Sequence, residues 1–177
     1  MATNPLGSNG NADASTASGV LNDVWDELAH ALRIGPAGGG LVVSKSITFA
    51  GGTLNDPGDF DGTGTPWTLW TVTGNVLLAI IGVCSTTLTG AAGTLAVGVS
   101  GSTNRFIPVT TGTTIVAGRT VDITGLVAAG TAPNTTPNQA ATNGQVIIGS
   151  TGTADLTAGV ITFYCFYRPL SAGASVA

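Results

Sequence analysis

Charged side chains are scarce in this 177-residue chain: Asp, Glu, Lys and Arg together make up 8% of it, and the formal net charge is −4. About a quarter of an ordinary soluble domain is charged. The few basic residues are spread thinly and form no basic stripe, so we expect no direct nucleic-acid binding. Because soluble monomers use charge to stay apart, this composition predicts a surface that is largely covered by other protein.

Residues suited to catalysis are also few. His30 is the only histidine and Glu27 the only glutamate, and both fall in a segment of helical pattern. A histidine-based metal site or a Ser-His-Asp triad would depend on His30 alone, and no serine has the context of a nucleophile elbow. Asp122 and Asp155 are isolated, so no carboxylate pair for glycoside hydrolysis can be proposed. We expect no enzymatic activity and no cofactor.

One acidic cluster, formed by Asp56, Asp59 and Asp61, invites comparison with a calcium-binding loop. The residues from Asp59 onward match part of that pattern. However, its first ligand position would be Pro57, and its closing glutamate position falls on Thr68. A solvated turn is the better interpretation, and we expect no metal site.

The chain has no apolar run long enough to span a membrane, and its first residues lack the basic-then-apolar order of a secretory signal. We therefore expect no membrane partner and synthesis in a cytosol. Cys84 and Cys165, the only cysteines, fall inside predicted strands. Buried free thiols are the simpler expectation, since a disulfide needs an oxidising compartment.

Residues 19–34 carry the pattern of an amphipathic helix. Ser18 can cap its start, and Gly35 with the following proline ends it. We predict that residues 1–40 form an N-terminal arm, separated from the rest by three glycines, and that the helix binds a partner. Packing of the helix on its own body is the alternative. The predicted contact face consists of Val20, Leu21, Val24, Trp25, Leu28 and Leu32.

From Leu41 onward the patterns are those of strands and turns. The runs 75–84 and 159–170 are apolar on both faces, so we expect them to lie well inside a sheet. About eight to ten short strands without an internal helix predict a mainly β fold, an antiparallel β-sandwich that is jelly-roll-like. The predicted body spans residues 41–171, followed by a C-terminal tail at 172–177.

Trp67 and Trp70 lie three residues apart in one predicted strand. In a regular strand they would have opposite parity, so only one could point to the core. The other could fill a subunit interface or stack on a sugar ring. The low charge of the chain favours the interface.

Three blocks of the β region resemble small virion structural proteins of tailed bacteriophages: 41–53, 68–103 and 154–173. The resemblance implies a non-enzymatic capsid decoration (cement) protein. Such a protein binds the major capsid protein on the outside of the virion, as a homo-oligomer that is expected to be a trimer. Some cement proteins are β-sandwich trimers that reach neighbouring subunits with an arm. Residues 1–40 and the rest of the 51–66 loop, beyond residue 53, have no counterpart in the resemblance.

Two other functions stay open at this point. A fibre-tip or host-surface module would bind glycans through a tryptophan and the long loops. A tail or connector component would differ from a decoration protein in copy number and position rather than in chemistry.

Overall fold

The computed structural model describes residues 41–52, 56–60 and 66–177. The predicted arm, its helix at 19–34 with the apolar contact face, and Asp61 lie outside these residues. Residues Leu41–Ala177 form one compact unit. The described residues contain eleven strands and one 3-10 turn (Gly112–Thr114): β1 (Leu41–Thr48), β2 (Pro66–Thr73), β3 (Val76–Thr89), β4 (Thr94–Val99), β5 (Ser102–Thr111), β6 (Thr120–Asp122), β7 (Gly125–Leu126), β8 (Gln139–Ala141), β9 (Val146–Gly152), β10 (Ala158–Pro169) and β11 (Ser175–Val176).

The strands form two sheets in which every pair is antiparallel. The first sheet has the order β1-β10-β3-β6-β7, with β8 also paired to β3, and the second has the order β11-β2-β9-β4-β5. The prediction of a mainly β, antiparallel fold is confirmed. The two runs expected inside a sheet are neighbours, since β10 lies between β1 and β3.

The pairing is nested along the chain. β1 pairs with β10 and β2 with β9, while β3 pairs with β6 and β4 with β5. These pairs alternate between the first and the second sheet. The chain therefore runs as a two-stranded ribbon whose successive segments belong to opposite sheets.

Side chains of both sheets meet in one core. Along β10 the predicted period of two is confirmed, because Ile161, Phe163 and Cys165 are fully buried, whereas Tyr164 and Phe166 on the other face are only partly buried. β-branched and aromatic residues favour such a pleated, packed surface. Other fully buried members of the core are Phe49, Leu78, Leu95, Val97, Phe106, Ile107, Ile115 and Ile147.

The C-terminal residues belong to the second sheet, contrary to the predicted tail at 172–177. Ser175 and Val176 pair with β2, and Thr71 and Ala177 exchange two backbone hydrogen bonds of 2.7 and 3.1 Å. Ala174 and Val176 are buried. The segment is too short to give a strand pattern in the sequence, but its alternate apolar residues fill the end of the core.

No helix in the described part of the chain has the length and apolarity needed to cross a membrane.

Candidate interaction surfaces

Both tryptophans proposed as possible interface residues lie in the core: Trp67 is 7% exposed and Trp70 is 4% exposed. Thr68 is opposite Ile148 and Trp70 is opposite Ile147, so the residue between them, Leu69, is an extra one. Such a bulge shifts the parity of the strand by one residue. The expectation that one ring points outward was wrong because the bulge turns both inward.

The ring of Trp67 is enclosed by its neighbours. It packs edge-on against Phe49 and at a tilt against Phe163, with ring centroids 5.8 Å apart in both pairs. The ring also covers Gly149, its partner on β9, where an added Cβ would overlap the indole. Trp67 therefore joins the two sheets from within and presents no ring surface to a partner.

Lys45, on β1 of the other sheet, forms hydrogen bonds with the backbone of the bulge. Its Nζ donates hydrogen bonds to the carbonyl oxygens of Thr68 at 3.0 Å and Leu69 at 3.3 Å. A bulge leaves backbone groups without ladder partners, and a cation is a strong donor to such carbonyls. Lys45 thus links β1, an edge strand of the first sheet, to β2 of the second.

The outer edge of β1 is the longest regular free edge in the described residues. β1 pairs only with β10 there, over eight residues without a register shift. The edge strands β7 and β11 have two residues each, and β5 contains Pro108 and lies across two register shifts from β4. Short strands, proline and bulges protect an edge from pairing, and β1 has none of them.

The alternation of a β ladder determines which backbone groups face this free edge. The amide of Phe49 donates to the carbonyl of Gly159 at 2.9 Å, so the odd-numbered residues of β1 point their backbone groups toward β10. The even-numbered residues therefore point theirs away from the sheet. These are Val42, Ser44, Ser46 and Thr48.

The outward face of the first sheet is poor in charge and combines hydroxyl, aromatic and aliphatic side chains. Across β1, β10 and β3, Val42 lies beside Phe166 and Phe166 beside Ala79, and one step along the strands Tyr164 lies beside Ile81. Val42 is 49% exposed and the two aromatic rings are partly buried, whereas Ala79 and Ile81 are each only 7% exposed. We call this surface the outer face. Its members are Val42, Ser44, Ser46, Thr48, Thr162, Tyr164, Phe166, Arg168, Leu77, Ala79, Ile81 and Val83, and none of them is acidic.

Asp122, which appears isolated in the sequence, is a structural anchor. Its Oδ1 accepts from the amide and hydroxyl of Thr124 at 2.7 and 2.6 Å, and its Oδ2 accepts from the amide of Asn134 at 2.7 Å. Burial alone would raise the pKa of Asp122, but these hydrogen bonds outweigh it and hold the pKa below its ordinary value. The Asp-x-Thr spacing of an Asx turn was the available sequence signal.

Of the acidic cluster, the structure describes Asp56 and Asp59, and Asp61 lies outside the described residues. The sequence predicted a solvated turn here. Asp56 is exposed, in agreement with that prediction, but Asp59 is only 7% exposed, so the turn is solvated only in part. Asp155 instead ties this loop to the β9–β10 connection, because its Oδ1 accepts from the amide of Phe60 at 2.8 Å. Among the described residues, no three His, Cys, Asp or Glu side chains are grouped to hold a metal ion.

The two cysteines are free and buried, as predicted. Burial raises the pKa of Cys165 to about 12. Burial also raises the pKa of Cys84, although hydrogen bonds with the backbone of Leu88 and Thr86 oppose this. Because the thiolate is the nucleophile, neither side chain is suited to covalent chemistry.

Comparison of the chain with protein-family models, with curated proteins and with solved structures finds no match.

Proposed function

We propose that this protein is a non-enzymatic structural component of a tailed-bacteriophage virion, a capsid decoration (cement) protein. It is made in the bacterial cytoplasm and binds the major capsid protein on the outside of the shell as a homo-oligomer, in our proposal a trimer. The outer face is the observation that carries this proposal. A surface with a single charged side chain, built of hydroxyl, aromatic and aliphatic side chains, on a chain this poor in charge fits contact with other protein.

We also propose that the body is a jelly roll. The support is the nested pairing of β1 with β10, β2 with β9, β3 with β6 and β4 with β5, in alternating sheets. A ribbon of two strands folded over on itself in this way is how two Greek keys close. Jelly rolls recur in viral capsid and lectin domains, so this fold is compatible with the proposed function without identifying it.

The arm at residues 1–40 is proposed to clasp the shell, together with the sandwich edges. Burying Leu21, Trp25, Leu28 and Leu32 would contribute roughly 6–12 kcal/mol in all, at about 1.5–3 kcal/mol for each side chain. The backbone entropy that is lost when the arm becomes ordered opposes this gain. One arm would therefore bind weakly, and several arms of one oligomer on a repeating lattice would bind by avidity.

The number of copies per purified virion tests the proposal. A decoration protein should be present in copies on the order of hundreds, because the shell repeats its binding site by symmetry. A tail or connector component would be present in a few to dozens of copies. Absence from purified virions would refute both assignments.

Deletion of residues 1–34 tests the role of the arm. The truncated protein should remain soluble and keep its β circular-dichroism spectrum, yet it should wash off shells that retain the full-length chain. Full retention by the truncated protein would refute the anchoring role.

The glycan-binding alternative invoked an exposed tryptophan of β2 together with the long loops. Since Trp67 and Trp70 are both buried, only the long loops are left to support that function.

A further inference from the structure

We propose that the free edge of β1 is a strand-addition site for an extended segment of a different protein, with an acidic residue opposite Lys45. This inference rests on the proposed function only in that the shell would supply the segment. The edge offers the backbone N–H and C=O groups of Val42, Ser44, Ser46 and Thr48, spaced every second residue along a regular strand. Added strands gain affinity from these main-chain groups and specificity from alternate side chains.

A second copy of this chain fits the same edge poorly. In a two-fold antiparallel pair, the even-numbered residues must oppose even-numbered residues, because they carry the free hydrogen-bonding groups. The register that opposes Val42 to Thr48 of the second copy places Lys45 opposite Lys45, in the close non-hydrogen-bonded pair with Cα atoms about 4.5 Å apart. Shifting by two residues still leaves the two lysines diagonal neighbours, about 7–8 Å apart.

Lys45, although exposed, can avoid this repulsion only by giving up its hydrogen bonds. Its ammonium group is held by the carbonyls of Thr68 and Leu69, so turning it aside would break both hydrogen bonds. A charged side chain that points inward from an edge strand is a known means of preventing sheets from pairing edge to edge. The same fixed positive charge favours a partner strand that places a carboxylate opposite it.

The outer face sets a second requirement for the added strand. Val42 is 49% exposed and adjoins Phe166, so an apolar side chain opposite Val42 would extend the outer face by one strand. The expected partner is therefore an extended segment of about five to seven residues with apolar residues on one face and an Asp or Glu at its centre.

Two synthetic peptides test the proposal on the full-length protein. Both carry the sequence of β1 with Val in place of its last Thr, LVVSXSIV, with Glu or Lys at X, so that X lies opposite Lys45 and the last Val opposite Val42. We expect the Glu peptide at saturation to slow amide hydrogen exchange at Val42, Ser44, Ser46 and Thr48 at least tenfold, measured by NMR. The Lys peptide should bind about fivefold more weakly at low salt, and this difference should shrink in 1 M salt.

A pair of variants at one position locates the binding. Ser44→Pro removes a free-edge N–H and leaves the odd-numbered ladder to β10 in place, and proline is tolerated on edge strands. Ser44→Ala keeps the N–H. The Glu peptide should bind Ser44→Ala as it binds the natural chain and should lose at least tenfold in affinity for Ser44→Pro. If Ser44→Pro does not fold, the comparison of the two peptides on the natural chain decides.

Three results would overturn the proposal. The four amides could exchange as slowly as those of the odd-numbered residues in the free protein, they could be unaffected by the Glu peptide, or the Lys peptide could bind as well as the Glu peptide. None of these results depends on virions. Failure of this inference is therefore distinguishable from failure of the decoration function, which the copy number tests.

Discussion

Single side chains in this protein tie loops to strands, and Asp122 is the clearest example. It joins the turn at Thr124 to the loop at Asn134 through three hydrogen bonds. Because the folded chain lowers the pKa of Asp122 below its ordinary value of 3.8, the anchor contributes its full stability above that pH. That contribution is lost as the pH falls through the lower, folded-state value.

We predict that Asp122→Asn lowers the free energy of unfolding by about 1.5–3 kcal/mol at pH 7, since hydrogen bonds to a charged group are lost. The natural chain should lose stability below about pH 4, and the variant should lose less over the same range. Urea unfolding at pH 7 and pH 3 measures both effects. Asp56→Asn, at an exposed position, is the control and should change stability by less than about 0.5 kcal/mol. Equal acid sensitivity in Asp122→Asn and the natural chain would contradict the prediction.

At Gly149 the packing of the core has no room for a side chain. An added Cβ would overlap the Trp67 ring, which is itself fixed by Phe49 and Phe163. We predict that Gly149→Ala costs about 1–3 kcal/mol through overpacking and changes the tryptophan fluorescence of the folded protein. In the matched variant Gly152→Ala, the added Cβ would approach only the Thr94 hydroxyl, at 2.8 Å, and that side chain can rotate. A cost as large as that of Gly149→Ala would argue against the Trp67 overlap.

At the scale of elements, the bulge in β2 determines which side chains of that strand face the core and which of its carbonyl groups bond to β1. It turns Trp67 and Trp70 to the same side of the strand. The carbonyl oxygens of Thr68 and Leu69 accept hydrogen bonds from the Lys45 ammonium group. We predict that Lys45→Met destabilises the protein by about 1 kcal/mol, because the methionine keeps the apolar stem but donates no hydrogen bond. Lys45→Arg should restore most of the loss. Urea unfolding measures this, and equal stability of the Met and Arg variants would show that the hydrogen bonds contribute nothing.

The elements also show how far the sequence could be used to predict the fold. The runs that became β3 and β10 were recognisable because burial on both faces requires apolar residues of both parities. The bulge at Leu69 was not recognisable, since any residue can be the extra one and only pairing with β9 reveals it. Likewise, the contact between Asp122 and Asn134 depends on a loop path that no local pattern specifies.

At the scale of the whole molecule, the outer face should govern association. Phe166 is central to it and only partly buried. We predict that Phe166→Asp shifts the purified protein from oligomer to monomer in sedimentation velocity and weakens its binding to shells, because a carboxylate in an apolar contact is costly to desolvate. Thr71→Asp, at an exposed position of the second sheet, is the control and should leave the oligomer intact. An oligomer that survives Phe166→Asp would show that the outer face is not the contact.

The pairing of β1 with β10 also determines when the body can form during synthesis. Leu41 pairs with Tyr167 and Thr48 with Val160, so β1 has no partner strand until β10 has been translated. Contacts this distant in sequence make folding slow. Until β10 has been translated, the outer face and the β1 edge cannot exist in their final form. A nascent chain therefore cannot use either surface to contact another protein before β10 has joined the sheet.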